Sequence, residues 1–128
     1  MSSDFASLPL APALLSVVHD LGFTELTPIQ EQSIPALLEG KDLVGQSKTG
    51  SGKTAAFALP LLHKLDLSLR EVQGLVLCPT RELSAQVARE LRKLGRNLPG
   101  LSVLALAGGQ EVREIGRASC RERVFVGV

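Results

Sequence analysis

Apolar positions recur at helical spacing in several stretches of the chain. The first stretch, Ala11–Asp20, predicts an amphipathic helix, and Gly22 is well placed to end it. Thr27 and the proline after it predict the start of a second helix that continues through residue 38, with threonine as N-cap. Pro35 lies inside this second helix, so a kink or a break into two short pieces is expected there.

Two more helices follow from the same pattern. Residues 55–59 form an apolar stretch directly after a glycine-rich segment. Further along, Leu83, Val87, Leu91 and Leu94 fall on one face of a helix, and we expect all four side chains to lie in the core.

Short continuous apolar runs predict buried strands between these helices. Leu43 and Val44 precede the glycine-rich segment, Gly74–Cys78 forms a second run, and residues 101–107 form a third. Strands without polar alternation, separated by helices, are typical of a parallel sheet covered by helices on both faces. The predicted fold class is therefore α/β.

Composition limits the interpretation more than it directs it. The 128 residues allow one domain at most, and the formal net charge of +1 shows no basic footprint for nucleic acid. No apolar run could cross a bilayer and no signal peptide is recognisable, so we expect a cytoplasmic protein without a membrane partner. Cys78 and Cys120 lack metal-ligand spacing, and Cys78 is predicted to be a small buried side chain. His19 and His63 are isolated, with no residues nearby in sequence to suggest a base or a ligand.

The strongest chemical signal is the glycine-rich segment at residues 47–54, S-K-T-G-S-G-K-T. Glycines let several backbone N–H groups face one anion, and a helix N-terminus directly after them favours phosphate. Lys53 would reach the β- and γ-phosphates and Thr54 would hold Mg²⁺. Ser47 stands where the general P-loop pattern has glycine, a departure that helicases tolerate. The alternative is a simple polar turn between a strand and a helix.

Three other segments indicate which family of P-loop proteins the chain resembles. Residues 22–30, G-F-T-E-L-T-P-I-Q, resemble the Q motif of DEAD-box ATP-dependent RNA helicases, with Phe5 seventeen residues upstream of Gly22. Residues 79–86, P-T-R-E-L-S-A-Q, resemble motif Ia, with Ser84 for alanine, and Gly108–Gly109 matches the GG element. On these motifs the chain is identified as similar to the amino-terminal part of the first RecA-like domain of that family. It looks most like the bacterial DbpA-like subfamily.

The resemblance implies an ATP site and assigns residues to it. The side-chain amide of Gln30 can donate to and accept from the N6/N7 edge of adenine, which would select ATP over GTP. Phe5 would offer a ring face to the base, whereas Phe23 suits a core position as well as a ligand role. Lys53 and Thr54 would be catalytic, Thr54 also holding Mg²⁺ through ATP. The implied nucleotide-binding residues are Phe5, Phe23, Thr27, Gln30, Ser47, Lys48, Thr49, Gly50, Ser51, Gly52, Lys53 and Thr54.

The resemblance also implies contact with the RNA backbone, independent of sequence. Thr80 and Arg81 follow a predicted strand, where side chains and N–H groups can donate to phosphate oxygens. A helix N-cap is the other interpretation of Thr80, and both roles are compatible. The implied RNA-binding residues are Pro79, Thr80, Arg81, Gly108 and Gly109. Ribosomal RNA or a pre-ribosomal particle is the partner that the subfamily implies, with ATP hydrolysis coupled to local duplex unwinding.

The boundaries of the resemblance limit what this chain would do alone. No D-E-A-D sequence occurs, and a second RecA-like domain is absent, so we expect a truncated domain over residues 1–114 that does not turn over ATP. Residues 115–124 back-translate to a common sequencing adapter, so 115–128 is predicted to be a non-native tail. The rival interpretation is a native helix followed by a strand at 124–128. Two other functions stay open: another P-loop NTPase such as a DNA helicase, or a non-catalytic ATP- or RNA-binding fragment.

Overall fold

The computed structural model describes residues 4–108 and 123–128. These residues divide into two compact units, which we call the amino-terminal unit, residues 1–64, and the carboxy-terminal unit, residues 65–128. No helix within the described ranges is long and apolar enough to cross a membrane. In chain order the elements are a 3-10 turn at Phe5–Ser7, α1 at Pro12–Asp20, α2 at Pro28–Leu38, α3 at Lys53–His63, β1 at Gly74–Leu77, α4 at Arg81–Leu94, β2 at Val103–Leu106 and β3 at Val124–Gly127.

Helix α1 ends as predicted. Gly22 has φ +78°, and its N–H donates to the carbonyl of His19 at 2.9 Å. The N–H of Phe23 donates to the carbonyl of Val18 at 3.1 Å, which completes a Schellman motif. The position of Phe23 is thereby fixed by the backbone at the end of α1.

Helix α2 begins at Pro28 and continues as one helix through Pro35. Of the two predicted outcomes, the break is wrong, and the kink stays a prediction. Proline at position 35 removes the N–H that would donate to the carbonyl of Glu31. Glu31 lies on the exposed side of the helix, where water can satisfy that carbonyl. The cost of the lost bond therefore does not have to end the helix.

The core of the amino-terminal unit is built by all three of its helices, and α2 packs against α3. His63, at the end of α3, has a partner that the sequence did not reveal: its Nδ1 accepts from the backbone N–H of Ala11 at 3.0 Å. This bond ties the last residue of α3 to the N-cap of α1. The buried side chains are Phe5, Leu8, Leu10, Leu14, Val17, Val18, Ile34, Ala55, Ala56, Ala58, Leu59 and Leu62.

The strand predicted before the glycine-rich segment is absent. Residues 41–48 have no strand assignment, and Leu43 is 40% and Val44 100% exposed. A strand exists only through hydrogen bonds to a neighbouring strand. Within the described residues no strand pairs with this segment, and so its apolar side chains stay in solvent.

The carboxy-terminal unit contains a three-stranded, all-parallel sheet in the order β1-β3-β2. Gly74, Val124 and Val103 are in register at the start of the strands. All three strands therefore end at the same edge. Helix α4 packs against β2 and β3, and the parallel α/β sheet predicted from the sequence is confirmed.

Three predicted core positions in this unit are exposed. Leu83 in α4 is 37% exposed, because the helix buries a stripe one residue further on. On β1, Leu75 and Leu77 are 61% and 75% exposed, since period-two alternation turns both to a face that no described residue covers. Cys78 is buried, as predicted. The buried stripe of α4 consists of Ser84, Val87, Ala88, Leu91 and Leu94.

Residues 124–127, within the segment that is predicted to be a non-native tail, form part of this sheet. Val124 and Val126 are fully buried in β3, the central strand, which pairs with both neighbours. Arg123 donates from its guanidinium to the carbonyl of Leu67 at 2.7 Å and to the carbonyl of Gly100. The strand of the rival interpretation is present. Residues 115–122 lie outside the described residues, and the origin of the coding sequence stays a prediction.

Candidate functional site

The glycine-rich segment runs into the N-terminus of α3. Gly50 and Gly52 have φ +80° and +84°, a left-handed conformation that favours glycine, and Gly52 is the N-cap of the helix. Lys53 and Thr54 are therefore the first two helical residues, so α3 begins two residues before the predicted apolar stretch. Backbone N–H groups without intrahelical partners and the positive end of the helix dipole meet here, as an anion requires.

Two side chains form hydrogen bonds to backbone carbonyls within the segment. The ammonium of Lys53 donates to the carbonyl of Ser47 at 2.5 Å, and the hydroxyl of Ser51 donates to the carbonyl of Lys48 at 2.7 Å. The Lys53 charge is thus held across the loop, beside the helix N-terminus. Positive charge, glycine backbone and exposed N–H groups together suit a polyphosphate.

Gln30 is joined to this loop directly. Its Nε2 donates to the carbonyl of Gly52 at 3.1 Å, while its Oε1 accepts from the N–H of Thr27 at 3.0 Å. The side chain is only 6% exposed, and the base contact that the resemblance implies for it stays a prediction. The bond to Thr27 had a signal in the sequence, because Thr27-Pro28-Ile29-Gln30 matches the capping-box pattern in which the fourth residue reaches back to the N-cap.

Gly52 is required by this link as well as by its backbone angle. A Cβ placed on Gly52 would overlap the Nε2 of Gln30 and lie 3.3 Å from the Oγ1 of Thr27. That Oγ1 is buried and has no hydrogen-bond partner among the described residues. A buried acceptor and donor without a partner beside a phosphate-type loop is consistent with a ligand at this position.

The two predicted aromatic residues lie next to each other. Phe5 is 3% exposed, and the prediction that a base stacks on it stays a prediction. Phe23 is 39% exposed and stacks on Phe5 with ring centroids 6.2 Å apart and planes inclined by 27°. The Schellman motif after α1 brings Phe23 to the surface, and Phe5 supports it from inside.

The predicted RNA-binding residues lie at the carboxyl edge of the sheet. Thr80 is the N-cap of α4, its Oγ1 accepting from the N–H of Leu83 at 3.2 Å, which confirms the structural interpretation of this residue. Arg81 reaches the end of β2, where a Cβ on Gly108 would lie 3.0 Å from its guanidinium. Pro79, Thr80, Arg81 and Gly108 are all exposed. Gly109 lies outside the described residues.

A glycine-rich loop opening a helix and an all-parallel sheet with polar residues at its carboxyl edge define the RecA-like class of P-loop nucleotide-binding domains. Within that class, the family model described as DEAD/DEAH box helicase matches residues 27–128. The chain belongs to the DEAD/DEAH box helicase family.

The names of individual relatives agree with this family assignment. The ATP-dependent RNA helicase DbpA of Escherichia coli K12 is 56% identical over 101 residues, which are 79% of this chain and 22% of that protein. The DEAD-box ATP-dependent RNA helicase CshA of Bacillus cereus is 47% identical over 124 residues, 96% of this chain and 23% of that one. The chain therefore spans less than a quarter of the length of these relatives.

Solved structures show the same fold. The crystal structure of a DEAD box protein from the hyperthermophile Methanococcus jannaschii superposes with a TM-score of 0.92 at 33% identity, covering 98% of this chain and 34% of that one. A variant of Saccharomyces cerevisiae Dbp5 bound to RNA and ADP BeF3 superposes with a TM-score of 0.89 at 28% identity. The match covers 99% of this chain and 32% of that one.

Proposed function

We propose that this chain is the part of an ATP-dependent RNA helicase that binds ATP and contacts the RNA backbone. The observation that carries the proposal is the hydrogen bond from Gln30 to the carbonyl of Gly52, because it joins the Q-motif segment to the phosphate loop. Two segments separated by 22 positions thereby form one site. The names of the relatives, ATP-dependent RNA helicases in both cases, support the same function.

The phosphates are assigned to the loop and to α3. Backbone N–H groups of residues 47–52 face the anion, and Lys53 exchanges the carbonyl of Ser47 for the β- and γ-phosphates. The exchange is favourable because an ammonium binds a phosphate oxygen more strongly than it binds a neutral carbonyl. Thr54 would hold Mg²⁺, which neutralises phosphate charge when bound.

The adenine is assigned to Phe23 and Gln30. The exposed ring of Phe23, supported by Phe5, provides the stacking surface. A glutamine amide has two N–H donors and two acceptor lone pairs, and the bonds to Gly52 and Thr27 use one of each. One donor and one acceptor remain, the pair that matches the N6/N7 edge of adenine.

RNA is assigned to the carboxyl edge of the sheet in the carboxy-terminal unit. Arg81 and the exposed backbone at Gly108 can hold phosphate oxygens without reading the bases. The solved variant of Dbp5 is bound to RNA, which supports RNA as the ligand. Ribosomal RNA is the substrate that the similarity to DbpA favours, and coupling of hydrolysis to unwinding is part of the same proposal.

The test is nucleotide binding by isothermal titration calorimetry with ATP and GTP. Lys53→Ala should weaken ATP binding by about tenfold or more, because a charge-assisted contact to phosphate is lost. Lys64→Ala, at the other end of α3, is the matched control and should bind ATP normally. Gln30→Ala should reduce the preference for ATP over GTP.

Two results would contradict the proposal. Equal binding of ATP and GTP by the unmodified chain would favour another kind of P-loop NTPase. If Lys53→Ala binds ATP as tightly as Lys64→Ala does, the assignment of the phosphates to Lys53 and its loop is wrong. Phosphate release measured on the same samples tests the separate prediction that residues 1–128 alone do not turn over ATP.

A further inference from the structure

Two consecutive backbone carbonyls of the phosphate loop accept hydrogen bonds from side chains of the same loop. The carbonyl of Ser47 accepts from the ammonium of Lys53 at 2.5 Å, and the carbonyl of Lys48 accepts from the hydroxyl of Ser51 at 2.7 Å. The Ser47 carbonyl therefore lies against the charge that a phosphate would pair with. Carbonyl and phosphate oxygens are both acceptors, so the two compete for the same ammonium.

The hydroxyl of Ser51 opposes the movement that this competition requires. For a phosphate to take the ammonium of Lys53, the carbonyl of Ser47 has to turn away from it. That carbonyl and the carbonyl of Lys48 belong to adjacent planar peptide groups, which are joined at the α-carbon of Lys48. Because Ser51 holds the second peptide group, the first has fewer ways to rotate.

Only one side of the loop has room to move. The carbonyl of Gly52 accepts from the buried amide of Gln30 at 3.1 Å, and a Cβ on Gly52 would overlap that amide. Gly50, by contrast, is exposed, and no atom lies within 4 Å of the place that its Cβ would take. An opening movement is thereby confined to residues 47–51, with Gly50 as its pivot.

We propose that Ser51 is a positioning residue that holds the phosphate loop closed and releases the carbonyl of Lys48 when a polyphosphate binds. The inference rests on the proposed function, because it concerns the regulation of the same site. The bond from Ser51 to Lys48 is exposed to solvent, so water can replace it at a small cost. A closed form of this kind lowers the apparent affinity in proportion to the fraction of molecules that are open.

This role predicts a gain of affinity when the hydroxyl is removed, the opposite of what a direct phosphate contact predicts. Inorganic tripolyphosphate is the probe, because it addresses the loop without a base. In isothermal titration calorimetry with the full chain, Ser51→Ala should bind it about three- to tenfold more tightly, which corresponds to one exposed hydrogen bond. Ser51→Thr keeps a hydroxyl and should bind it as the unmodified chain does.

Ser7 provides a matched control outside the loop. Its hydroxyl donates to the carbonyl of Asp4 at 2.6 Å, which is also a bond to the residue three positions earlier at an exposed site. Ser7→Ala therefore removes a bond of the same kind and should leave tripolyphosphate binding unchanged.

Kinetics separate a closed loop from a lost ligand contact. A bond that exists only before binding changes the association rate, whereas most changes of contact alter the dissociation rate. In stopped-flow mixing with a fluorescent ATP analogue, Ser51→Ala should raise the association rate about three- to tenfold and leave the dissociation rate unchanged.

The outcomes distinguish failure of this inference from failure of the phosphate site. Weaker binding of tripolyphosphate by Ser51→Ala would make Ser51 a ligand contact, and equal binding would show that its bond does not hold the loop. A gain of the same size in Ser7→Ala would remove the special role of the loop. If the unmodified chain does not bind tripolyphosphate, the proposed phosphate site is wrong, and this inference with it.

Discussion

The two units differ in whether their short apolar runs form strands. In the carboxy-terminal unit β1 and β2 each pair along their length with β3, and Val124 and Val126 are fully buried. In the amino-terminal unit the residues leading into the phosphate loop pair with no described strand, and Val44 is fully exposed. Apolar side chains in a run are common to both, so the presence of a pairing partner decides which run becomes a strand.

The units also differ in what holds them together. The amino-terminal unit depends on side-chain bonds to backbone, such as His63 to Ala11 and Gln30 to Gly52. The carboxy-terminal unit depends on the backbone ladder of the sheet, with Arg123 tying two loops to the start of β3. The glycine-rich segment, which no described strand precedes, therefore has its position set by single side chains.

The largest effect is expected from breaking the sheet at its centre. Val126→Asp buries an unpaired carboxylate in a fully buried position and should destabilise the protein by about 4 kcal/mol or more. Leu77→Asp is the control: it places the same carboxylate on β1, where the native side chain is 75% exposed, and should change stability little. Urea unfolding measures both, and hydrogen exchange of residues 74–77 locates the loss. Equal effects would show that β3 is not the centre of the sheet.

The second effect concerns the glycines of the phosphate loop. Ala at either Gly50 or Gly52 must adopt a left-handed backbone, at a cost of about 1 kcal/mol. At Gly52 the new Cβ also meets the amide of Gln30, whereas at Gly50 nothing lies within 4 Å. Gly52→Ala should therefore cost about 1–3 kcal/mol more than Gly50→Ala. The two variants are compared by thermal unfolding.

The same pair tests the link from Gln30 to the loop. In a Gln30→Ala background the clash is gone, so the extra cost of Gly52→Ala should disappear, as a double-mutant cycle would detect. If Gly50→Ala and Gly52→Ala are equally destabilising in the unmodified chain, the close approach of Gln30 is not a feature of the protein.

How much of this could be predicted from the sequence depends on whether a feature is local. The helices and the N-cap at Thr80 follow from spacing and cap chemistry and are found where predicted, although α3 begins at Lys53, two residues before its predicted stretch. The parallel sheet follows from the alternation of strands and helices. The predicted break at Pro35 was wrong: one lost hydrogen bond is tolerable where the residue four positions earlier, Glu31, is exposed.

Most of the missed features depend on contacts distant in sequence. Whether Leu43–Val44 or Val124–Val126 forms a strand depends on neighbours that a local pattern does not show. The stacking of Phe23 on the buried Phe5 depends on packing across 18 positions. Only the engagement of Gln30 with Thr27 had a local signal, the capping box.

A smaller effect is expected at the carboxyl edge of the sheet. Arg81→Ala should weaken binding of a single-stranded uridine oligonucleotide by roughly tenfold and reduce the salt dependence of binding by about one unit of slope. Arg89→Ala, an exposed arginine on the same helix, should leave both unchanged. Fluorescence anisotropy at several salt concentrations measures the two variants. An equal loss in both would mean that general charge, and not the sheet edge, holds RNA.

The smallest effect is expected on the pKa values of two carboxylates, Glu39 in the amino-terminal unit and Asp66 in the carboxy-terminal unit. The pKa of Glu39 is lowered by its hydrogen bond and ion pair with Lys41, whose Nζ lies 2.6 Å from Oε2. The pKa of Asp66 is lowered by hydrogen bonds from the neutral hydroxyl and the N–H of Ser68. Each lowered pKa adds stability that is present above the unfolded pKa and lost as the pH falls through the folded one.

Salt should separate the two carboxylates. At about 1 M salt the screening length is about 3 Å, compared with about 30 Å at 0.01 M. The pKa of Glu39 should therefore rise toward its ordinary value, because its partner is an exposed charge, while the pKa of Asp66 should not move, because its partners are neutral dipoles. NMR titration of the side-chain carboxyl carbons at the two salt concentrations measures both groups in one sample. If both pKa values rise together, Asp66 is held by charge after all, and the contrast between the two carboxylates disappears.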